Sequence, residues 1–209
     1  MYRLYYSPGA ASLLPHLLLL ETGAPHELVL VDIPGGANRS ADYLKLNPNG
    51  VVPTLIVDGQ PVAETAALLL LLCERHADAG LAPPPGSAER AAFLQGVLFL
   101  ANTLQPAFRL WFYPSDAGAV DEAVLKAALR QRIEGCFAQL AAQLADGRPY
   151  LLGECLSALD FYATMLMRWS RNMPRPATEW PALKALADRI RARPSWRRLY
   201  EIEGLTEWA

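Results

Sequence analysis

Apolar positions follow two different periods along this chain, and the change from one to the other divides it. Tyr2 to Tyr6 and His26 to Val31 are short runs of aromatic, Leu and Val residues that predict strands. Between them, Ala10 to Leu20 is apolar enough for a buried helix, with Ser12 close to its start. Pro15 is tolerable there because it falls in the first turn. Ser7-Pro8-Gly9 breaks the first strand and Thr22-Gly23-Ala24-Pro25 ends the helix. Strand, helix, strand predicts a βαβ unit with parallel strands. A loop over 32–40, containing Ile33-Pro34-Gly35-Gly36, leads to a short helix at about 41–46.

The stretch Asn47-Pro48-Asn49-Gly50-Val51-Val52-Pro53 is the most heavily punctuated in the chain. Its turn dipeptides lead into a strand, Thr54 to Val57, and a proline just ahead of that strand costs no interior ladder bond. Asp58-Gly59 predicts a hairpin whose return strand is Gln60 to Ala63, and Glu64-Thr65 opens a helix reaching His76. A strand pair thus delivers the chain to a helix N-terminus, where unpaired N–H groups suit a small carboxylate. Taken singly, the same residues are a hairpin, a cap at Thr65 and a first-turn charge at Glu64.

Ala79-Gly80-Leu81-Ala82-Pro83-Pro84-Pro85-Gly86 can be neither helical nor paired, and nothing beyond it reads as a strand. The expected organisation is a domain over 1–78, a linker over 79–86 and a helical domain over 87–209. Its first helix runs from Ser87 or Glu89 to about Phe112, with Pro106 expected to kink it. Asp121 to Leu144 is the second, stopped by Asp146-Gly147-Arg148-Pro149. Ser157 followed by Asp160 is a capping box for the apolar run after it. Two shorter helices, from Trp180 to Arg191 and Pro194 to Glu201, finish the chain.

With 52% hydrophobic and 19% charged residues, the 209-residue chain is expected to bury a real core. A formal net charge of -2 gives no electrostatic case for nucleic acid or an anionic membrane as partner. Cys73, Cys136 and Cys155 lie in apolar contexts without Cys-x-x-Cys spacing, so buried free thiols in a reducing compartment are expected. The N-terminus lacks the signal-peptide pattern and no apolar run reads as long enough to span a bilayer, which places the protein in the cytoplasm. His16, His26 and His76 show no ligand spacing, so no metal is expected, and His16 reads as a structural partner. No glycine-rich phosphate loop occurs, so no nucleotide cofactor is expected.

At Asn47-Pro48-Asn49-Gly50-Val51-Val52-Pro53-Thr54-Leu55 and Glu64-Thr65 the chain resembles the cytosolic glutathione transferases, which carry Asn-Pro-x-Gly-x-Val-Pro-x-Leu, a hairpin and Glu-Ser/Thr. The resemblance covers the whole chain, including the Ser157 and Asp160 pair, whose role in the family is folding. It implies a thioredoxin-like domain, βαβαββα, followed by an all-helical domain. It further implies a cis Pro53, with the backbone of Val52 pairing with glutathione as an added strand. Asn49, Glu64 and Thr65 join this glutathione-binding set, Thr65 at the γ-glutamyl carboxylate and Glu64 near the amine. A homodimer, glutathione as co-substrate and a detoxification role are implied as well.

The family needs glutathione as a thiolate, and it puts the groups that lower the thiol pKa in the turn after the first strand. Here that turn is Tyr6-Ser7-Pro8-Gly9-Ala10-Ala11-Ser12. The match is nearest to the bacterial beta-class branch, which reads Tyr-x-Pro-Gly-Ala-Cys-Ser, yet Ala11 stands in the cysteine's place, so cysteine chemistry is not expected. Where the branch often carries a His-Lys pair, this chain has Leu104-Gln105-Pro106-Ala107. Ser12 is the first candidate thiolate donor, Tyr6 the second and Tyr5 the third, with helix capping the alternative for Ser12. Phe108, Arg109, Trp111 and Phe112 are candidates for an electrophile pocket, although an aromatic stripe also suits a core, and Arg109 suits either an acidic electrophile or a surface pair. The expected activity is transfer of glutathione to a small hydrophobic electrophile. Its rivals are a non-catalytic glutathione- or partner-binding protein and a glutathione-dependent isomerase or dehalogenase.

Overall fold

β1 (Tyr2–Tyr6) and β2 (His26–Leu30) pair in parallel, Leu4 beside Leu28, with α1 (Leu13–Thr22) crossing between them. Gly23, left-handed at φ 66, ends α1 and turns the chain toward β2. After a short 3₁₀ turn and α2 (Ala41–Leu46), β3 (Thr54–Val57) lies antiparallel to β1 and β4 (Gln60–Ala63) completes the hairpin. The sheet order is β2-β1-β3-β4, and α3 (Thr65–Arg75) closes this half, giving the mixed thioredoxin-like sheet expected from the pattern. Leu13 to Leu19 are all buried, which explains why α1 is apolar on every side.

The computed structural model describes residues 1–208, which divide into two compact units. One is Met1–Ala82 together with the chain from Arg191 onward, and the other is Pro83–Ile190. The last helix therefore differs from the sequence expectation. α9 (Pro194–Glu203) packs on α1 instead of joining the helical half, and Arg193, just before it, pairs with Glu21 of α1 at 2.7 Å. Trp196, fully buried, stacks on Tyr200 at 5.1 Å.

The second unit is helical, with an isolated bridge from Tyr150 to Gly153. Its centre is α7 (Ala158–Trp169), buried from Ala158 to Arg168. α4 (Ala88–Phe99) approaches it so closely at Gly96 that a Cβ there would lie 2.6 Å from Leu159 Cδ2, so a larger residue would make the Leu159 side chain shift. Proline has no N–H for the carbonyl four residues back, and the expected kink takes the form of a wide π turn, Leu100–Leu104, before α5 (Gln105–Phe112). The wide turn keeps Phe93, Val97, Leu100, Leu104 and Phe108 all buried. Together these pieces make a 25-residue helix long and apolar enough to cross a membrane, contrary to the sequence reading, although here its buried face packs within the bundle.

α6 (Glu122–Gln143) is capped by Asp121 and buries Ile133, Phe137 and Leu140, while α8 (Pro181–Arg191) buries Leu183, Leu186 and Ile190. The capping box forms as expected, with Asp160 accepting the Ser157 N–H at 2.8 Å. Cys73 and Cys136 are buried, but Cys155 is exposed, because the loop before α7 turns it outward.

Candidate active site

Strand register gathers the first unit's candidate residues at one end of the sheet. Tyr5 is opposite Thr54, and Thr54 is opposite Ala63, so Tyr6, Pro53 and Glu64 each lie one residue past a paired position on neighbouring strands. The Val52-Pro53 bond is cis. Val52 is buried and shares a cluster with Val31 and Tyr43, against which Ala10 of the β1–α1 turn packs.

The peptide before Val52 is held rigidly. Its carbonyl, Val51 O, accepts the Tyr43 hydroxyl and the Asn47 side-chain amide, each at 2.7 Å. In a trans peptide the N–H points opposite to the carbonyl, so this grip also aims the Val52 N–H. Neither that N–H nor the Val52 carbonyl has a hydrogen-bond partner among the described residues. Asn49 is exposed and spends its N–H on Asn47 and its carbonyl on Arg39. Tyr43 and Asn47 were not singled out from the sequence. The Asn-Pro turn hinted at Asn47, but nothing local pointed to Tyr43.

At the start of α3, Glu64 adopts φ 74 and ψ 115, a conformation that costs a non-glycine residue about 1–3 kcal/mol. Its carboxylate is exposed and has no partner among the described residues. Thr65, the first helical residue, is buried. Strain and an unpaired charge at a helix N-terminus mark a place built to receive something.

The β1–α1 turn can be accounted for amide by amide. Ser7 N–H donates to Ser12 Oγ at 3.1 Å, and the Ser12 hydroxyl returns a bond of the same length to Ser7 O. Gly9 N–H donates to Glu203 Oε2 at 2.8 Å, and Ala10 N–H to Ser7 O at 3.1 Å. Pro8 has no N–H. The N–H groups of Ala11 and Ser12 have no partner among the described residues, and only Ala11 is partly exposed, since Ser12 is 0% exposed. Ser12 makes no side-chain cap bond to α1, so capping is not its role either.

Behind the turn, His16 Nδ1 meets Glu203 Oε1 at 2.7 Å, with both side chains fully buried, and His16 Nε2 has no hydrogen-bond partner among the described residues. The Tyr6 ring lies 6.1 Å from that of His16, and its hydroxyl has no partner among the described residues. Burial, then the nearby Glu203 charge, push the Tyr6 phenol above its usual value. Tyr5 points to the opposite face, its ring 5.9 Å from Tyr43. Glu203 was missed in the sequence. The signal was an acid at the end of a helix, next to the Gly204 that stops it.

In the helical unit, Phe108 is wholly buried among Phe112, Phe137 and Trp169, at ring distances of 5.8 to 6.2 Å. Phe112 is exposed and contacts Trp169 at 6.1 Å, while Trp111 is half-buried beside Lys126. Arg109 is paired with Asp116 at 2.6 Å and lies over Tyr113, the surface-pair alternative of the two. Gln105 accepts the Tyr162 hydroxyl. A groove of about 1000 Å³ in this unit, lined by Gln95, Phe99 and Gln143 among others, contains none of the expected site residues.

The first unit is thus a thioredoxin-like domain with an open backbone pair at Val52 and a polar helix start beside it. The comparisons agree with it. Residues 12–75 match the family model described as glutathione S-transferase, N-terminal domain, and residues 118–201 match its C-terminal domain. The chain is 30% identical over 206 residues to "Glutathione S-transferase GST-4.5" of Xanthomonas campestris pv. campestris, covering 97% of this chain and 99% of that one. Among solved structures, a glutathione S-transferase from a sphingomonad, complexed with glutathione, is 36% identical with a TM-score of 0.85, covering 98% of this chain and 100% of that one. A beta-class enzyme from Sphingomonas chungbukensis is 34% identical with a TM-score of 0.86 over the same shares. This chain belongs to the glutathione S-transferase family.

Proposed function

We propose that the protein conjugates glutathione to a small hydrophobic electrophile in the cytoplasm, as a homodimer with a role in detoxification. The observation that carries this reading is the unpaired backbone of Val52 beside the strained, unpaired Glu64 and the α3 N-terminus. The peptide of glutathione adds to Val52 as a strand, and the cis Pro53 frames that edge. Its γ-glutamyl carboxylate sits at Thr65 and the first N–H groups of α3, with its amine toward Glu64. Asn49 lies at the rim of the same site.

The beta-class cysteine position is Ala11, so the thiolate is received by the one unpaired amide on a partly exposed residue of the turn, Ala11 N–H at the start of α1. Tyr6, with an unengaged hydroxyl held in its O–H form, is the nearest side-chain donor. Ser12, buried with its hydroxyl engaged by Ser7, braces the turn. Sulfur attacks the electrophilic carbon, the S–C bond forms, and the leaving group departs with its electron pair. Phe108, Arg109, Trp111 and Phe112 of the helical unit are the candidates for holding the electrophile.

The test is calorimetric titration of glutathione into wild type, Thr65→Val and Glu64→Gln, followed by turnover with chlorodinitrobenzene. Binding weakened about tenfold or more by either substitution, together with conjugation by wild type, is expected. Binding without turnover points to the non-catalytic rival, and absence of binding removes the reading.

A further inference from the structure

α9 ends on a carboxylate that its own helix opposes. Glu203 is the last residue of α9, where the negative end of the helix dipole disfavours an acid, yet its side chain is 0% exposed. A buried carboxylate persists only where donors meet its oxygens. Both donors here come from the start of the chain: Gly9 N–H on Oε2 and His16 Nδ1 on Oε1. Glu203 is thus tied across 194 positions of sequence to the middle of the turn that holds Ala11.

Gly9 sits at φ 67, in the left-handed region, and the bond to Glu203 pins it there. The turn is held by the Ser7–Ser12 exchange at its ends, by Ala10 N–H on Ser7 O and Leu13 N–H on Ala10 O, and by Gly9–Glu203, the bond that reaches it from α9. Releasing the Glu203 bond lets the Gly9 peptide shift, and the Ala11 N–H with it, while the remaining bonds keep the turn folded. We propose that Glu203 is a positioning residue for thiol activation, acting through Gly9 to aim the Ala11 N–H at the sulfur of glutathione. His16 is the second half of the device, since its Nδ1–H orients the carboxylate that Gly9 uses. Burial first, and the Glu203 charge second, raise the Tyr6 phenol further above its usual value. This inference rests on the conjugation reading above.

The test uses the full chain as wild type, Glu203→Ala, Glu203→Gln, His16→Asn and His16→Leu. Glutathione affinity, the ultraviolet titration of its bound thiolate, and kcat and KM with chlorodinitrobenzene are measured well below each melting temperature. Glu203→Ala is expected to lower kcat about 100-fold, the scale of a misaimed group, and to return the bound thiol toward its free titration, while KM for glutathione changes little. Glu203→Gln, which keeps an acceptor for Gly9, and His16→Asn, which keeps a donor for the carboxylate, are expected to retain most activity where His16→Leu loses it. A Glu203→Ala protein that melts earlier yet keeps wild-type kcat and thiolate titration overturns the inference and leaves a purely structural tie. If wild type binds no glutathione, the conjugation reading itself fails and this one falls with it.

Discussion

Asp160 and Glu203 are both buried carboxylates on helices, and they stand at opposite ends of the helix dipole. Asp160, in the first turn of α7, accepts Leu151 N–H and Ser157 N–H at 2.8 Å and the Ser157 hydroxyl at 2.9 Å, all from the loop entering its own helix. Its charge suits that N-terminus, and its work is local: it ends the preceding loop and starts the helix. Glu203 stands where its own helix resists it, and both of its partners belong to the other end of the chain. A buried acid that its helix favours marks folding. One that its helix opposes marks a tie serving the segment it reaches.

The largest effect that separates the two is on stability. Asp160→Ala leaves two buried backbone N–H groups without acceptors and should cost about 3 kcal/mol or more in urea unfolding, while the folded fraction still binds glutathione. A pH series sharpens the point. Burial raises the Asp160 carboxyl to about 6 despite the bonds that favour its charged form. In the unfolded chain it titrates near 3.9, so between about pH 4 and pH 6 the folded state holds a proton that the unfolded state has released. Stability should therefore fall as pH rises through that window, by about 2–3 kcal/mol at roughly 1.4 kcal/mol per unit, and level off above it. The slope should be missing from Asp160→Asn.

Glu203→Ala is the smaller change in stability, about 2 kcal/mol, because it removes a buried charge as well as two bonds. Its signature is kinetic instead. Ser12→Ala is smallest, about 1 kcal/mol for a hydroxyl exchanged with one backbone residue, read as a shift in the urea midpoint.

The sheet was legible in the sequence because its signals are local. Asp58-Gly59 fixed the hairpin, the strand-helix-strand run fixed the parallel pair, and the Asn47 to Pro53 punctuation marked the turn ahead of β3. Ser157 and Asp160 could be read for the same reason, three residues apart on one helix. Periodicity reports which face of an element is apolar but not what meets a polar atom on it. Ser12 therefore looked like a cap or a donor, whereas its hydroxyl is engaged by Ser7. Glu203 lay beyond the expected end of the last helix at Glu201, and the grouping of α9 with the first unit, set by packing on α1, had no local trace. Pro106 announced a disturbance, but whether a helix kinks or widens depends on its neighbours.

The most direct test is the pH titration of the thiolate of glutathione bound to wild type, Ser12→Ala and Tyr6→Phe. A free thiol titrates near pH 8.5. The account expects a lowered value in wild type, kept for the most part in Ser12→Ala, where Ala10 N–H on Ser7 O and Gly9 N–H on Glu203 still hold the turn, and partly lost in Tyr6→Phe. A value that returns to that of free thiol in Ser12→Ala alone, with binding intact, would make the serine hydroxyl the donor and contradict it.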